Sequence, residues 1–497
     1  MSFNSWQFLV FLPVVVGIYW IVPYKARWIV LLIASYLFYM SWNVWLIVLI
    51  LATTLTAYGA SNLMSLTESR NKRKALLIAT LVICLGMLVF FKYINFLLDT
   101  VVGVIRLFDA EQDDIMLNVI LPVGISFYTF QTLSYVVDVY RGDFEPERHF
   151  GYFALYVAYF PQLVAGPIER PGALLPQLRE EHSPSREDTV AGVKWLLSGF
   201  FRKIVVADFC GIYVNNIFAD LSSANALAVF AAAFLFLIQI YNDFAGYSEI
   251  ALGSARLMGV KLTKNFEKPL TSVSFTEFFR RWHITLNRWF TEYVYIPLGG
   301  NRKGTARKIF NTIVVFALCG LWHGANWTFV LWGLTVGIFV CIETLLRKPF
   351  ARFCEKFGIN LENPTVRLLR QGFIILLFTL CSVLFRASDI VQIGQAYTRM
   401  FTAWGFGAAY FDSAMRSLGM DAAGLLQLAV SLVGMSVIYR LPLESKRSEL
   451  LSVPGGQTAA SCTSAYATLA FGVLTIALCW FALIMGSDVS GFAYFQF

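Results

Sequence analysis

Two histidines are the residues in this chain best suited to move a proton. The stretch Gly320-Leu321-Trp322-His323-Gly324-Ala325-Asn326-Trp327 sets an imidazole between the apolar runs 309–319 and 328–336. An ionisable side chain in such a setting is costly and marks a functional candidate by default. His283 lies 40 residues upstream in an aromatic, basic stretch, and the chain has only 4 histidines. An imidazole titrates near about 6.5 in water, and burial favours its neutral form. A neutral ring can accept a proton and hand it on, so the two histidines suggest proton-transfer chemistry inside a bilayer. The competing readings are bland: a hydrogen-bonded packing residue for His323, and the spare histidine of an interfacial amphipathic helix for His283. Asn326, in the same break as His323, is a candidate substrate-binding residue.

The elements around these residues are legible in outline. A helix is expected from about Phe275 to Tyr293. Ser274 and Glu277 have capping-box spacing, and Phe275, Phe278, Phe279, Trp282, Leu286, Trp289, Phe290 and Tyr293 share one face at helical period. Glu277, Arg281 and Arg288 fall opposite, with His283 at the border. The helix ends in the glycine-rich basic turn Ile296-Pro297-Leu298-Gly299-Gly300-Asn301-Arg302-Lys303-Gly304. Backbone amides, Arg302 and Lys303 can hold the phosphates of a nucleotide-bearing donor there, although the turn is not a P-loop. From Lys308 about 14 residues lead to His323, a climb of roughly 20 Å, so His323 is expected deep in the membrane with Gly324 offering a bend. Gln239-Ile240-Tyr241-Asn242-Asp243-Phe244-Ala245-Gly246-Tyr247-Ser248-Glu249 places two acids beside a strong apolar run. It is either a polar network that fixes helix packing or part of a substrate path, with Asp243 the candidate contact. Proline and glycine break the apolar sequence at 121–131 and at 159–170, as is tolerated where backbone lines a cavity or is buried in protein.

The whole chain is built for a bilayer. Of 497 residues, 58% are hydrophobic and 14% charged, against about 25% charged in soluble domains. About eleven apolar windows are long enough or nearly so: among them Phe8–Val22, Trp28–Met40, Leu46–Tyr58, Leu76–Phe91, Ala226–Tyr241, Trp327–Leu346, Gly372–Leu384, Leu425–Tyr439 and Tyr466–Met485. The expectation is an all-α polytopic membrane protein, residues 1–497 forming a single membrane domain with tilted or re-entrant pieces. The net charge of +8 is gathered in loops, as at Arg70-Lys72-Arg73-Lys74, Arg302-Lys303-Arg307-Lys308, Arg347-Lys348-Arg352-Lys356 and Lys446-Arg447. The positive-inside rule places these in the cytosol and no nucleic-acid partner is needed. The acidic loop Asp109-Glu111-Asp113-Asp114 is compatible with the outside. The 8 cysteines contain no C-x-x-C pair and read as buried apolar residues, with no metal site. The N-terminus lacks a basic leader and a cleavage site, so it is expected to be an uncleaved first span with its end outside.

At this point the chain resembles the membrane-bound O-acyltransferase (MBOAT) family, and within it the bacterial branch that O-acetylates alginate and peptidoglycan or D-alanylates teichoic acids. The similar segments are Leu121–Arg141, Tyr159–Arg170, Tyr241–Gly253, Asn265–Lys303 with Arg280-Arg281-Trp282-His283-Ile284, and Gly320–Trp327. They run in family order through a core of about 120–345, while 350–460 is weakly similar. The resemblance implies a ring of tilted spans with re-entrant or interfacial helices around a central pore. His283 and His323 stand at its two polar pore positions. A cytosolic acyl thioester, acetyl-CoA or another, approaches from one side and a hydroxyl acceptor from the other, with no permanently bound cofactor. It also implies a bacterial plasma (inner) membrane location, a separate extracytoplasmic SGNH-type or esterase-like transferase as partner, and a surface polysaccharide or peptidoglycan as final acceptor.

The chain ends Gly491-Phe492-Ala493-Tyr494-Phe495-Gln496-Phe497, which resembles the aromatic acyl-transfer tail of this branch. The resemblance implies that residues 486–497 are extracytoplasmic and that Tyr494 accepts the acyl group. A phenol, with pKa about 10, leaves more readily than an alkyl alcohol, so an acyl-tyrosine remains a donor. The plain alternative for the tail is an interfacial aromatic anchor. The alternative for the chain is a proton-coupled transporter or flippase with His283 and His323 as a relay. No internal repeat of the kind common in secondary transporters is visible.

Overall fold

In a computed structural model, residues 1–106, 108, 115–117, 119–440 and 472 are described. Every regular element among them is helical. Six helices are long and apolar enough to cross a membrane: Val44–Ser65, Arg70–Arg106, Ala226–Arg256, Gly304–His323, Trp327–Lys356 and Pro364–Arg386. A seventh arises if the pair Ala408–Leu418 and Ala422–Ser436, bent by 74°, counts as one span. Trp6–Ile21 is apolar but only 16 residues long, and Tyr24–Met40 has 17. Among the described residues, six or seven of the expected windows reach full crossing length, while these two fall short of the roughly 20 residues a straight crossing requires. The window Tyr466–Met485, the acidic loop at 109–114 and the tail 486–497 lie outside the described residues.

The described residues fall into two units, one of 1–192 with 251–263, the other of 193–250 with 264–440 and 472. In the first, the break at 121–131 is a turn that leads into a buried helix, and the break at 159–170 is almost wholly buried. Gly124 adopts φ 76° and starts the helix Ile125–Arg141. A Cβ there would stand 3.0 Å from the Leu163 carbonyl oxygen and from the Val164 Cα. Residues 159–169 are buried throughout. At the end of this stretch Tyr156 donates to the Glu169 carbonyl (2.9 Å), while the Glu169 carboxylate accepts from the Thr263 backbone and hydroxyl (2.5 and 3.0 Å).

The second unit holds both candidate histidines. Its apolar core is rich in rings from Phe275, Phe278, Phe279, Trp332, Phe378 and Phe385. The helices Gly304–His323 and Trp327–Lys356 pack backbone to backbone. A Cβ at Gly320 would meet the Phe329 carbonyl oxygen at 2.2 Å, and one at Gly333 the Phe316 oxygen at 2.2 Å. Small residues allow this approach where lipid supplies no hydrophobic drive between helices. The six described cysteines are free and buried.

Candidate active site

The stretch expected to be one helix from Phe275 to Tyr293 is broken at His283. Phe275–Arg281 and Ile284–Phe290 are separate helices of 7 residues each, followed by a π-turn, Thr291–Tyr295. Between them Trp282 is extended and His283 is left-handed, with φ 44° and ψ 54°. His283 and Lys268 are the two non-glycine residues of positive φ among those described. That conformation costs an L-residue about 1–2 kcal/mol, so the surroundings must impose it.

Two asparagines do so. Asn265 accepts from the Ile284 N–H through its carbonyl (2.9 Å) and from the Thr285 hydroxyl through its side chain (2.7 Å). The Asn287 amide donates to the Phe279 and Trp282 carbonyls (2.8 and 2.5 Å), which lost their helical partners at the break. The first helix is fixed at its start as the spacing suggested, because the Ser274 hydroxyl accepts from the Glu277 N–H (3.1 Å). The reciprocal bond from the Glu277 carboxylate reaches Val273 N–H (2.8 Å) instead of the cap itself. Phe278 stacks on Phe378 at 3.8 Å between centroids, so the aromatic face locks the entry to the hinge.

His323 is the last residue of the Gly304–His323 helix, and Gly324 leaves it in extended backbone. Arg307 and Lys308 are inside this helix, whose 20 residues rise about 30 Å. The climb from Lys308 to His323 is still about 20 Å, but the helix starts earlier, at Gly304, and is long enough to cross, so its length alone does not fix the depth of His323. Arg307 is tolerated in the first turns because its Nε donates to the Leu298 carbonyl (2.9 Å) and its guanidinium lies over the Phe310 ring (5.2 Å to the centroid).

The two histidines come together around Trp322. The indole centroid is 5.7 Å from the His283 ring and 5.1 Å from the His323 ring. Phe244 packs on His283 at 4.6 Å, while Trp332 and Phe385 pack on His323 at 5.3 and 5.2 Å. His283 is 1% exposed and His323 half-buried. The hinge lies outside the helices long enough to span. There, burial first and the His323 imidazole second push His283 well below the usual histidine range. Of the two imidazoles walled by aromatic rings, His323 is the more open to an incoming hydroxyl, and an imidazole so placed is suited to accepting its proton.

The other expected site residues are placed as follows. Asn326 caps the helix Trp327–Lys356 by accepting from Thr328 N–H (3.0 Å) and donates to the Ser388 carbonyl (2.8 Å). Its break is shared with His323, so it stays near the site. Arg302 and Lys303 are exposed in a turn tied down by Asn311, which donates to the Gly300 carbonyl (3.1 Å). They stand at the opposite end of the Gly304–His323 helix from His323 and are not brought to the histidines. Asp243 is fully buried, and its carboxylate accepts from Lys203 Nζ (2.9 Å). Tyr494 lies outside the described residues. Sequence reading missed Asn265 and Asn287, which no periodicity distinguishes. It also missed Lys203, although a lysine inside Phe200-Phe201-Arg202-Lys203-Ile204-Val205-Val206 is the same anomaly that drew attention to His323.

Residues 147–385, which contain both histidines, match the model of the membrane-bound O-acyltransferase family. A protein described as probable alginate O-acetylase AlgI in Azotobacter vinelandii is 34% identical over 100% of both chains. The peptidoglycan O-acetyltransferase of Helicobacter pylori is 31% identical over 78% of this chain and 77% of its own. The teichoic acid D-alanyltransferase of Streptococcus thermophilus is 29% identical over 46% of this chain and 58% of its own. With a family-model match over 147–385, a relative 34% identical over its full length and a helical fold with multiple apolar spans, the chain belongs to the membrane-bound O-acyltransferase family and is an O-acyltransferase.

Proposed function

We propose that this enzyme moves an acetyl or similar small acyl group from a cytosolic thioester, acetyl-CoA or another, across the bacterial plasma membrane for O-acetylation of a cell-surface polysaccharide or peptidoglycan. The observation that carries the reading is the pairing of His283 and His323 on Trp322. The alginate and peptidoglycan activities named for the relatives supply the acceptor class.

In this mechanism the neutral His323 imidazole takes the proton of the acceptor hydroxyl. The oxygen attacks the thioester carbonyl, the C–S bond breaks, and the proton returns from the imidazolium to the thiolate. His283 orients the donor or stabilises the oxyanion. Asn326 contributes to holding substrate near His323, and Arg302 with Lys303 holds the charged end of the donor at the cytosolic face. Tyr494 is the first acceptor, both termini are extracytoplasmic, and an SGNH-type or esterase-like partner completes delivery. The chain 1–497 works as one membrane enzyme.

The test is incubation of purified protein with radiolabelled acetyl-CoA. Thiol release or label on the protein, both absent in His323→Ala, supports the reading. Equal turnover by His323→Ala overturns the assignment of the base.

A further inference from the structure

A set of charged side chains is buried where the proposed reaction has no evident use for them. Lys203 is 0% exposed, and its Nζ donates to Asp208 Oδ1 (2.6 Å) and Asp243 Oδ1 (2.9 Å). Beside it Arg202, 5% exposed, bonds Asn242 Oδ1 (3.0 Å) and Glu249 Oε1 (2.9 Å). The two cations are neighbours in sequence and both serve the helix Ala226–Arg256. They belong to a π-helical segment, Phe201–Ala207, a rare form often found at functional sites. Backbone packing is close beside them, since a Cβ at Gly199 would lie 2.6 Å from the Gly246 carbonyl oxygen.

Buried ion pairs are poor sources of net stability, because desolvation offsets their attraction. Intramembrane charges are correspondingly associated with function. What this set does is fix one helical turn. Asn242 and Asp243 are held from one side, while Tyr241 and Phe244, three residues apart, share another. Tyr241 packs on Trp282 at 5.8 Å, and Phe244 on His283 at 4.6 Å. Arg202 also lies over the Tyr241 ring at 5.4 Å. The left-handed hinge that carries His283 therefore rests on rings whose helix is clamped by Lys203 and Arg202.

We infer that Lys203 and Asp243 are positioning residues for acyl transfer: their ion pair, through Tyr241 and Phe244, sets the orientation of the His283 imidazole. The inference rests on His283 acting in catalysis, as proposed above. The rings transmit position and not charge, so the pair acts on turnover more than on donor affinity.

The test measures kcat, donor KM and thermal unfolding of the full-length protein in detergent. Asp243→Asn keeps the side chain's shape and leaves Lys203 its bond to Asp208. It is expected to lower kcat by roughly tenfold or more with KM within about twofold, the pattern of an interaction lost in the transition state. Lys203→Arg is expected to retain more turnover than Lys203→Met. Asp243→Asn combined with Phe244→Leu should cost no more than the worse single change, since both act through one ring. Normal kcat in folded Asp243→Asn, or a raised KM with kcat kept, overturns the inference. If Asp243→Asn does not fold, Tyr241→Leu and Phe244→Leu decide instead, and unchanged kcat in both overturns it. His283→Asn run in parallel separates the two readings: a poorly active His283→Asn with a normal Asp243→Asn sinks the positioning role alone, whereas a normal His283→Asn sinks the catalytic role on which it rests.

Discussion

His283 and His323 share one neighbour, the indole of Trp322, whose centroid is 5.7 Å from the first ring and 5.1 Å from the second. Trp322 and His323 are consecutive residues, so the end of one helix supplies both a candidate base and the ring that packs against the other histidine. A change in how that helix ends alters both imidazoles together. His323→Ala is expected to reduce acyl transfer by at least the 10²–10⁴-fold (roughly) typical of a general base. The unfolding temperature should change little, because the His323 side chain is only half-buried. Turnover of acyl donor by the purified variant checks this, and near-normal turnover removes His323 from the mechanism.

For His283 the backbone and the ring can be separated. Asparagine tolerates the left-handed conformation better than most residues, whereas His283→Val puts a branched side chain at φ 44°. His283→Asn should fold and transfer poorly, and His283→Val should unfold at a clearly lower temperature. The pH dependence has a definite sign. His283 is held below the ordinary histidine range in the folded protein, so the unfolded chain binds its proton first as pH falls. Stability from this group is complete above about pH 6.5 and declines as pH drops below that value, with a slope of up to about 1.4 kcal/mol per pH unit. Thermal unfolding between pH 7 and pH 5 should show a smaller acid loss in His283→Asn than in wild type.

The glycine seam gives a prediction about stability alone. Gly333→Ala drives a methyl to 2.2 Å from the Phe316 carbonyl oxygen, so the helices must separate. Overpacking of this kind costs typically about 1–3 kcal/mol. Gly17→Ala meets nothing within 4 Å and should unfold like wild type. Equal unfolding temperatures for the two variants would show that the seam is not tight.

Arg302 and Lys303 test the donor end. Their turn is anchored by Arg307 and Asn311, so replacing both exposed residues with glutamine should leave the turn folded. Donor KM is expected to rise by more than kcat falls, the signature of lost binding common to ground and transition states. A fall in kcat alone would leave these residues as orientation signals only.

How far the sequence carried the site differs from residue to residue. His323 was visible because one polar residue interrupts apolar text, and the end of its helix agrees with Gly324. The His283 hinge was not visible: the aromatic period continues from Phe278 through Trp282 to Leu286 as if the helix were unbroken. The break is imposed by Asn265, from a segment 18 residues away, and periodicity carries no trace of such a partner. Helix starts were hidden for a related reason. Arg307 and Lys308 look like loop residues, yet Arg307 is satisfied by the Leu298 carbonyl and the Phe310 ring. Asp243 was noticed without Lys203, its partner 40 residues away.

The last prediction concerns Tyr494, which lies outside the described residues. In the proposed topology the tail 486–497 follows the apolar window Tyr466–Met485, whose sequence is long enough to cross from the basic Lys446-Arg447 side. Twelve residues extend at most about 40 Å, enough to return from the outer face into the membrane. Phe492, Phe495 and Phe497 would seat the tail by apolar burial, leaving the Tyr494 hydroxyl to meet the thioester. Tyr494→Phe removes one oxygen and retains nearly all packing, so folding and donor binding should persist while delivery to an extracytoplasmic acceptor stops. Mass spectrometry of donor-treated protein should show an acyl adduct on the C-terminal peptide of wild type and none on that of the variant. Normal acylation of the polymer by Tyr494→Phe would make the tail an interfacial anchor and require an external hydroxyl to reach His323 directly.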